Sequence, residues 1–339
     1  MASRRCGVAM ATALAATAAL ALGAIPSALA AFSTRAESPG NVVSAAPDFR
    51  APVIEAVVLG KKTGSVTGFV KQGGAYYVYA KVAADTGNPP SGIASVKANA
   101  AAFTAGQTAV PLLAGSYKVG SAEFNYRSEE LTAAAVLAEG SKAFAVTASD
   151  KAGNANLANG SATVDNTAPQ ASDVQTTNAG TNGLAEQNDT IVFSFSEPID
   201  PESILAGWTG GATNVVVRLF DNGLLGLPLG DDALEVFDPT NTTLLPLGSV
   251  DMGRGDYVTG ALGGNITFGT SGTPSKMTLS GNTVTIVLGT YAAVGVALRT
   301  TALGTGTMTW TPVATPFDRA GNVLSTTPAP ESGSADKDF

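Results

Sequence analysis

The stretch that decides the fold is Lys142-Ala143-Phe144-Ala145-Val146-Thr147-Ala148-Ser149-Asp150-Lys151-Ala152-Gly153-Asn154. Phe144, Val146 and Ala148 fall on one face, and Ala143, Ala145 and Thr147 on the other. Period-two alternation is the mark of a strand packed on one side. Asp150 to Asn154 then supplies turn chemistry. Asp and Asn side chains bond nearby backbone groups, and Gly153 can take a positive φ at no steric cost. Ser161 to Asp165 follows as one more short strand.

Working outward from this stretch, Ala75 to Ala83, Ile93 to Ala98 and Ala122 to Arg127 read as strands, separated by Gly, Pro, Asn and Asp clusters such as Asp85 to Gly92. About seven short strands at regular spacing point to a β-sandwich. The second half has the same grammar. Thr190 to Ser196 alternates, with Ile191, Phe193 and Phe195 on one face. Asn214 to Phe220, Ala233 to Phe237, Thr283 to Leu288 and Met308 to Thr311 are further strands, and Gly260 to Gly272 reads as loop. The single helical candidate is short: Asp200 caps it, Pro201 opens it and Gly207 ends it.

Two motifs recur. Asp48-Phe49-Arg50-Ala51-Pro52 is echoed by Asp165-Asn166-Thr167-Ala168-Pro169, and Asp150-Lys151-Ala152-Gly153-Asn154 by Asp318-Arg319-Ala320-Gly321-Asn322. The first opens each half and the second closes it, as expected of tandem modules of one architecture. The reading is all-β, two tandem sandwiches after an N-terminal signal peptide. Residues 1–30 are the signal peptide, 31–49 a polar segment, 50–168 the first sandwich, 169–325 a larger second one, and 326–339 an acidic tail.

The leader has Arg4 and Arg5, an apolar run from Val8 to Ile25, and Ala28-Leu29-Ala30 as a small-x-small cleavage site. Alanine contributes little to membrane insertion, so export with cleavage is favoured over an anchor. The 339-residue chain has no histidine, and its one cysteine, Cys6, lies in the leader. His-based triads, His or Cys zinc sites, thiol nucleophiles and disulfides are thereby excluded from the mature chain. Without Arg4 and Arg5 the mature chain carries 17 Lys and Arg against 27 Asp and Glu, a net charge of −10. That balance argues against a nucleic-acid partner, which needs clustered cations. No apolar span follows the leader, so the mature form is expected outside the membrane, secreted or held at the cell surface.

The ending A-x-D-x-A-G-N followed by V-D-N-T-A-P, here Ala148 to Asn154 and Val164 to Pro169, resembles bacterial immunoglobulin-like domains found in tandem on secreted and surface proteins. Asn188 to Asp200, with Phe195-Ser196-Glu197-Pro198-Ile199, is similar to the S-layer-type domain of that class. The segment containing Ser38-Pro39-Gly40-Asn41 resembles the mature start of exported Gram-positive biofilm matrix proteins. Immunoglobulin-like modules carry many roles, and the leading expectation is a non-catalytic exported surface, matrix or adhesive spacer, with cell-wall or matrix components or other surface proteins as partners. The resemblance also implies calcium at module junctions, with Asp150, Asn154 and Asp165 as candidate ligands. Calcium takes six to eight oxygen ligands, and these residues supply such oxygens. The alternative for all three is that each caps its own turn.

Other functions have their own requirements. A carboxylate hydrolase needs two acids facing each other across a cleft. Glu197 and Asp200 instead read as a loop with Asp200 as helix cap. Asp231, Asp232 and Asp251 read as solvated loop acids. A carbohydrate-binding or enzyme-accessory protein would stack sugars on exposed aromatics. Trp208 and Trp310 read as core, and Tyr76-Tyr77-Tyr79 as a strand with one packed face. Arg254-Gly255-Asp256 matches an integrin-binding tripeptide by letter, in what reads as a plain loop.

Overall fold

The computed structural model describes residues 36–38, 41–43, 48–222, 230–260, 264–295 and 297–339. The leader and its cleavage site lie outside the described residues. Within the polar segment, Ala36–Ser38 and Asn41–Val43 pair as a small antiparallel ladder. Everything else described is strand, turn and loop, apart from one 3-10 turn at Pro201–Ser203. The helix expected after Asp200 is thus a single turn, with Asp200 as its cap. No helix among the described residues is long and apolar enough to cross a membrane.

The strands form two large sheets that divide the chain. The first runs from Ile54–Lys61 through Ala75–Val82, Ala122–Ser128, Val110–Val119, Ile93–Asn99 and Gly140–Asp150 to Ala155–Val164. Phe69–Val70 adds to that last strand in parallel. The second sheet runs from Ala171–Thr177 through Thr190–Phe195, Thr283–Val287, Ser275–Ser280, Thr213–Phe220, Ala233–Phe237 and Leu244–Asp251 to Thr309–Thr311 and Ala329–Pro330. In each sheet one long strand turns the corner of a sandwich-like arrangement by changing partners. Val110 and Pro111 pair with Ile93–Asn99, while the rest of their strand pairs with Ala122–Ser128. Thr213–Val215 pair with Ser275–Met277, while Val216–Phe220 pair with Ala233–Phe237. Switching of this kind is how a sheet folds over onto itself.

The alternation in the sequence sets the cores. Phe144, Val146 and Ala148 are buried, and the same period carries Asp150 inward at the end of its strand. Two main apolar clusters result, one drawn from Leu59 to Val164 and the other from Val174 to Phe339. Trp310 anchors the second, edge-on to Phe193 and Phe195 with ring centroids 5.1 and 5.0 Å away. Trp208 is also buried.

Three expectations need correction. Asn265–Phe268, inside the glycine-rich stretch read as loop, is a strand, because Ile266 and Phe268 bury against Thr213–Phe220. The tyrosine strand is packed on both faces, not one. Tyr76 enters the main core, while Tyr77 and Tyr79 join Val119, Phe124 and Tyr117 in a satellite cluster. Asp232 is not solvated: it is fully buried, and its carboxylate accepts from the amides of Tyr257 and Val258.

Candidate functional site

The repeated motifs build the same constellation twice. In the first half, Asn154 bonds the Asp150 carboxylate through its amide and side chain (2.8 Å each) and donates to the carbonyl of Asp48 (3.1 Å). In the second, Asn322 bonds Asp318 in the same way (2.8 Å each) and donates to the carbonyl of Asp165 (2.9 Å). Each hairpin asparagine thus pins the opening aspartate of its half beside the hairpin aspartate. A third acid joins from the loop after the second long strand of each half, Asp85 in one and Glu197 in the other. The results are Asp48–Asp85–Asp150 and Asp165–Glu197–Asp318, each with one oxygen per residue within 4.8 Å of the others.

The two triads differ in how their oxygens are satisfied. In the first, Asp48 accepts from the amides of Arg50 (2.9 Å) and Ser91 (3.0 Å), and Asp85 from those of Gly87 (3.0 Å) and Gly92 (2.6 Å). The Arg50 amide is the chief reason that the Asp48 pKa is lowered, since a hydrogen bond to the ionised form favours it. In the second triad Asp318 is fully buried and accepts from the amides of Ala320, Gly321 and Asn322. Burial still raises its pKa, with those hydrogen bonds opposing. Asp165 accepts from Thr167 N (3.1 Å). Glu197 differs from all of these: its buried Oε1 meets no donor among the described residues. Burial, then the charges of Asp165 and Asp318, push its pKa to about 7. Clustered carboxylates with an unfilled oxygen can share a proton or hold a hard cation.

The second triad sits where the halves meet, and the contacts around it cross between them. Lys61 Nζ lies 2.5 Å from Asp200 Oδ2, with the pair almost completely buried. Lys61 also donates to the carbonyls of Arg319 (2.8 Å) and Val66 (3.3 Å), and Lys71 donates to that of Gly321 (2.6 Å). Asp200 accepts from Val66 N (3.3 Å) and, as the cap, from Glu202 N (3.1 Å). Gly64 has a φ of +91°, and a Cβ there would come 2.9 Å from the Asp200 carboxyl carbon. Only glycine serves at that turn.

The expected ligands are therefore not brought together. Asp150 and Asn154 lie at the turn of the Gly140–Asp150/Ala155–Val164 hairpin, and Asp165 follows its far end, where Val164 faces Gly140. At roughly 3.3 Å per residue the two sites are about 30 Å apart. Asp150 and Asn154 satisfy one another in the hairpin turn, the turn-capping geometry. Asp165 stands at the junction with two partners from distant sequence, Glu197 and Asp318. The signal for Glu197 was positional: in both halves an acid follows the second long strand. Arg254 and Asp256 pair with each other (2.6 Å), so that tripeptide is closed on itself.

No protein-family model matches the chain, and no curated protein matches it.

The raised carboxylates imply a pH dependence. Glu197 and Asp232 titrate near 7 in the folded chain, both mainly through burial. Unfolded, they would titrate near 4. The folded state holds more protons over that interval, so stability is lost as pH rises from about 4.5 to about 7 and levels off above. Thermal melting in chelator should therefore give a higher Tm at pH 5.5 than at pH 7.5. A Tm that climbs over this interval would contradict the assignment.

Proposed function

We propose that the chain is a non-catalytic exported protein of two immunoglobulin-like sandwiches, acting as a surface, matrix or adhesive spacer, with a calcium ion at the Asp165–Glu197–Asp318 junction. The observation that carries this reading is the junction itself. A motif made twice places an acid triad between the halves, beside a buried Lys61–Asp200 pair that ties them. A spacer needs a defined geometry between its modules, and a cation held by ligands from both sides of a linker supplies it. Asp165 directly follows Ala155–Val164, the last long strand of the first sheet, and opens the motif that leads into the second half, to which Glu197 and Asp318 belong.

Two observations favour this over the alternatives. The cleft between the halves, about 480 Å³, is lined by Lys61, Lys62, Lys118 and one acid, Glu202, whereas glycoside hydrolysis calls for two facing acids. Phe49 is the one largely exposed aromatic among the described residues, which favours a spacer over a sugar-stacking platform.

The test is a pulldown of the purified mature protein on whole cells, cell-wall material and polysaccharides, with calcium and with chelator. Calcium-dependent retention without change to the retained polymer is the expected result. Release of soluble sugars from the polysaccharide would sink the non-catalytic reading.

A further inference from the structure

The last stretch of the chain is fastened to the second half. Ala329–Pro330 pairs with Thr309 and Trp310, Glu331 N bonds Met308 O (2.9 Å), and Gly306 N bonds Asp336 O (2.8 Å). The Phe339 ring is buried edge-on to Tyr257, 6.1 Å between centroids. Between these anchors the segment turns back on itself at Gly333, whose φ is +108°. The turn brings Glu331, Asp336 and Asp338 together, with one oxygen of each within 4.8 Å of the others.

A second observation marks this cluster as more than surface acidity. Glu331 is only 9% exposed, and its Oε1 is buried with no hydrogen-bond partner among the described residues. One oxygen of the Glu331 carboxylate is among the three that lie within 4.8 Å of one another, so the group faces the cluster, and Asp173 is held next to it through Ser332. Asp173 is itself engaged, accepting from Ser332 N (2.8 Å) and Ser332 Oγ (2.9 Å). Asp338 is 1% exposed and accepts from Thr176 Oγ1 (3.0 Å) and Tyr257 OH (3.4 Å). No ion pair among the described residues includes Glu331, Asp336 or Asp338. A buried carboxylate oxygen lacking both donor and counter-charge is costly, and a cation among the three acids would supply what it lacks.

We propose that Glu331, Asp336 and Asp338 form a cation site of calcium type that locks the turn within the 329–339 segment. The donor set is all oxygen, which suits hard cations rather than zinc or copper. The ligands come from one short irregular turn. Calcium accepts irregular geometry and completes six to eight ligands with water and carbonyls, whereas magnesium demands a near-ideal octahedron. Tyr257 touches Asp338 through its hydroxyl, so an aromatic ring stands beside the ion.

That tyrosine makes the site readable in the full chain. Terbium(III) is an oxygen-seeking stand-in for calcium whose emission is sensitised by a nearby tyrosine. Exciting the aromatics should give terbium emission that calcium displaces at lower concentration than magnesium. Tyr257→Phe should remove most of that emission. Glu331→Gln and Asp336→Asn should each weaken terbium binding about tenfold or more, and Asp336 is exposed, so its variant carries little risk to folding. Glu197→Gln, at the junction, should leave the emission in place, which separates this site from the one proposed above. Absence of sensitised emission in the parent chain, or emission unchanged in Tyr257→Phe, would overturn the proposal. So would unaltered binding in both Glu331→Gln and Asp336→Asn, or displacement by magnesium ahead of calcium.

Discussion

Replacing Lys61 with alanine is expected to cost about 3–5 kcal/mol, the range for removing one partner of a buried ion pair. Asp200 is fully buried, and Lys61 is its only ion-pair partner among the described residues. Without that charge the carboxylate keeps only peptide and hydroxyl donors, such as the amides of Val66 and Glu202. Lys61 also carries the contact with the Arg319 carbonyl, so its loss loosens the seam between the halves. Urea unfolding of the full chain should show the loss, and the single transition should broaden or split. The pair need not be better than an apolar one. Lys61→Met with Asp200→Leu should recover much of what either single change removes. A loss under about 1 kcal/mol for Lys61→Ala would mean that water reaches Asp200 and that the seam is not closed as described.

Asp318→Ala should be nearly as damaging. One carboxylate oxygen of Asp318 accepts from three successive amides, those of Ala320, Gly321 and Asn322, and the other holds the Asn322 side chain. Each buried donor left without a partner costs about 1–3 kcal/mol, so a total of about 3 kcal/mol or more is expected. Asn322 would also lose its grip on the Asp165 carbonyl, and with it the shape of the junction. The matching change in the first half, Asp150→Ala, should cost roughly half as much, because fewer donors depend on one carboxylate there. Only the amide and side chain of Asn154 are bonded to Asp150, and both are part-buried. Chemical unfolding of both variants checks the order. An Asp150→Ala effect equal to or larger than that of Asp318→Ala would contradict the difference between the two hairpins.

What the residues disclose on their own, and what they conceal, follows from how far apart the interacting groups lie. Alternation is local, so the strand ending at Asp150 and the strand containing Phe193 and Phe195 were legible, as was the all-β class. Turn chemistry is also local, and the Asp150–Asn154 bonds are those expected of it. The strand Asn265–Phe268 was hidden because its flanks are glycine-rich and its support comes from Thr213–Phe220, about 50 residues earlier. Lys61 gives no sign of its partner, since Asp200 is 139 positions away. The junction triad draws on positions 165, 197 and 318, and only the register of the repeat hints that the acid after each second strand belongs with the other two. Asp232 looked like any loop acid. Its burial depends on the amides of Tyr257 and Val258, which no nearby pattern announces.

The central claim is that a cation completes the junction triad. The most direct measurement is calorimetric melting of the full chain at pH 7.5, from chelator to millimolar calcium, in a Glu331→Gln/Asp336→Asn background that weakens the C-terminal cluster. A ligand held only by the folded state at about 100 times its Kd adds roughly 2.7 kcal/mol. The account predicts a rise in Tm with calcium, reversed by chelator and abolished by adding Glu197→Gln. A Tm unchanged from chelator to millimolar calcium would contradict it and would leave Asp165, Glu197 and Asp318 as turn-forming acids alone.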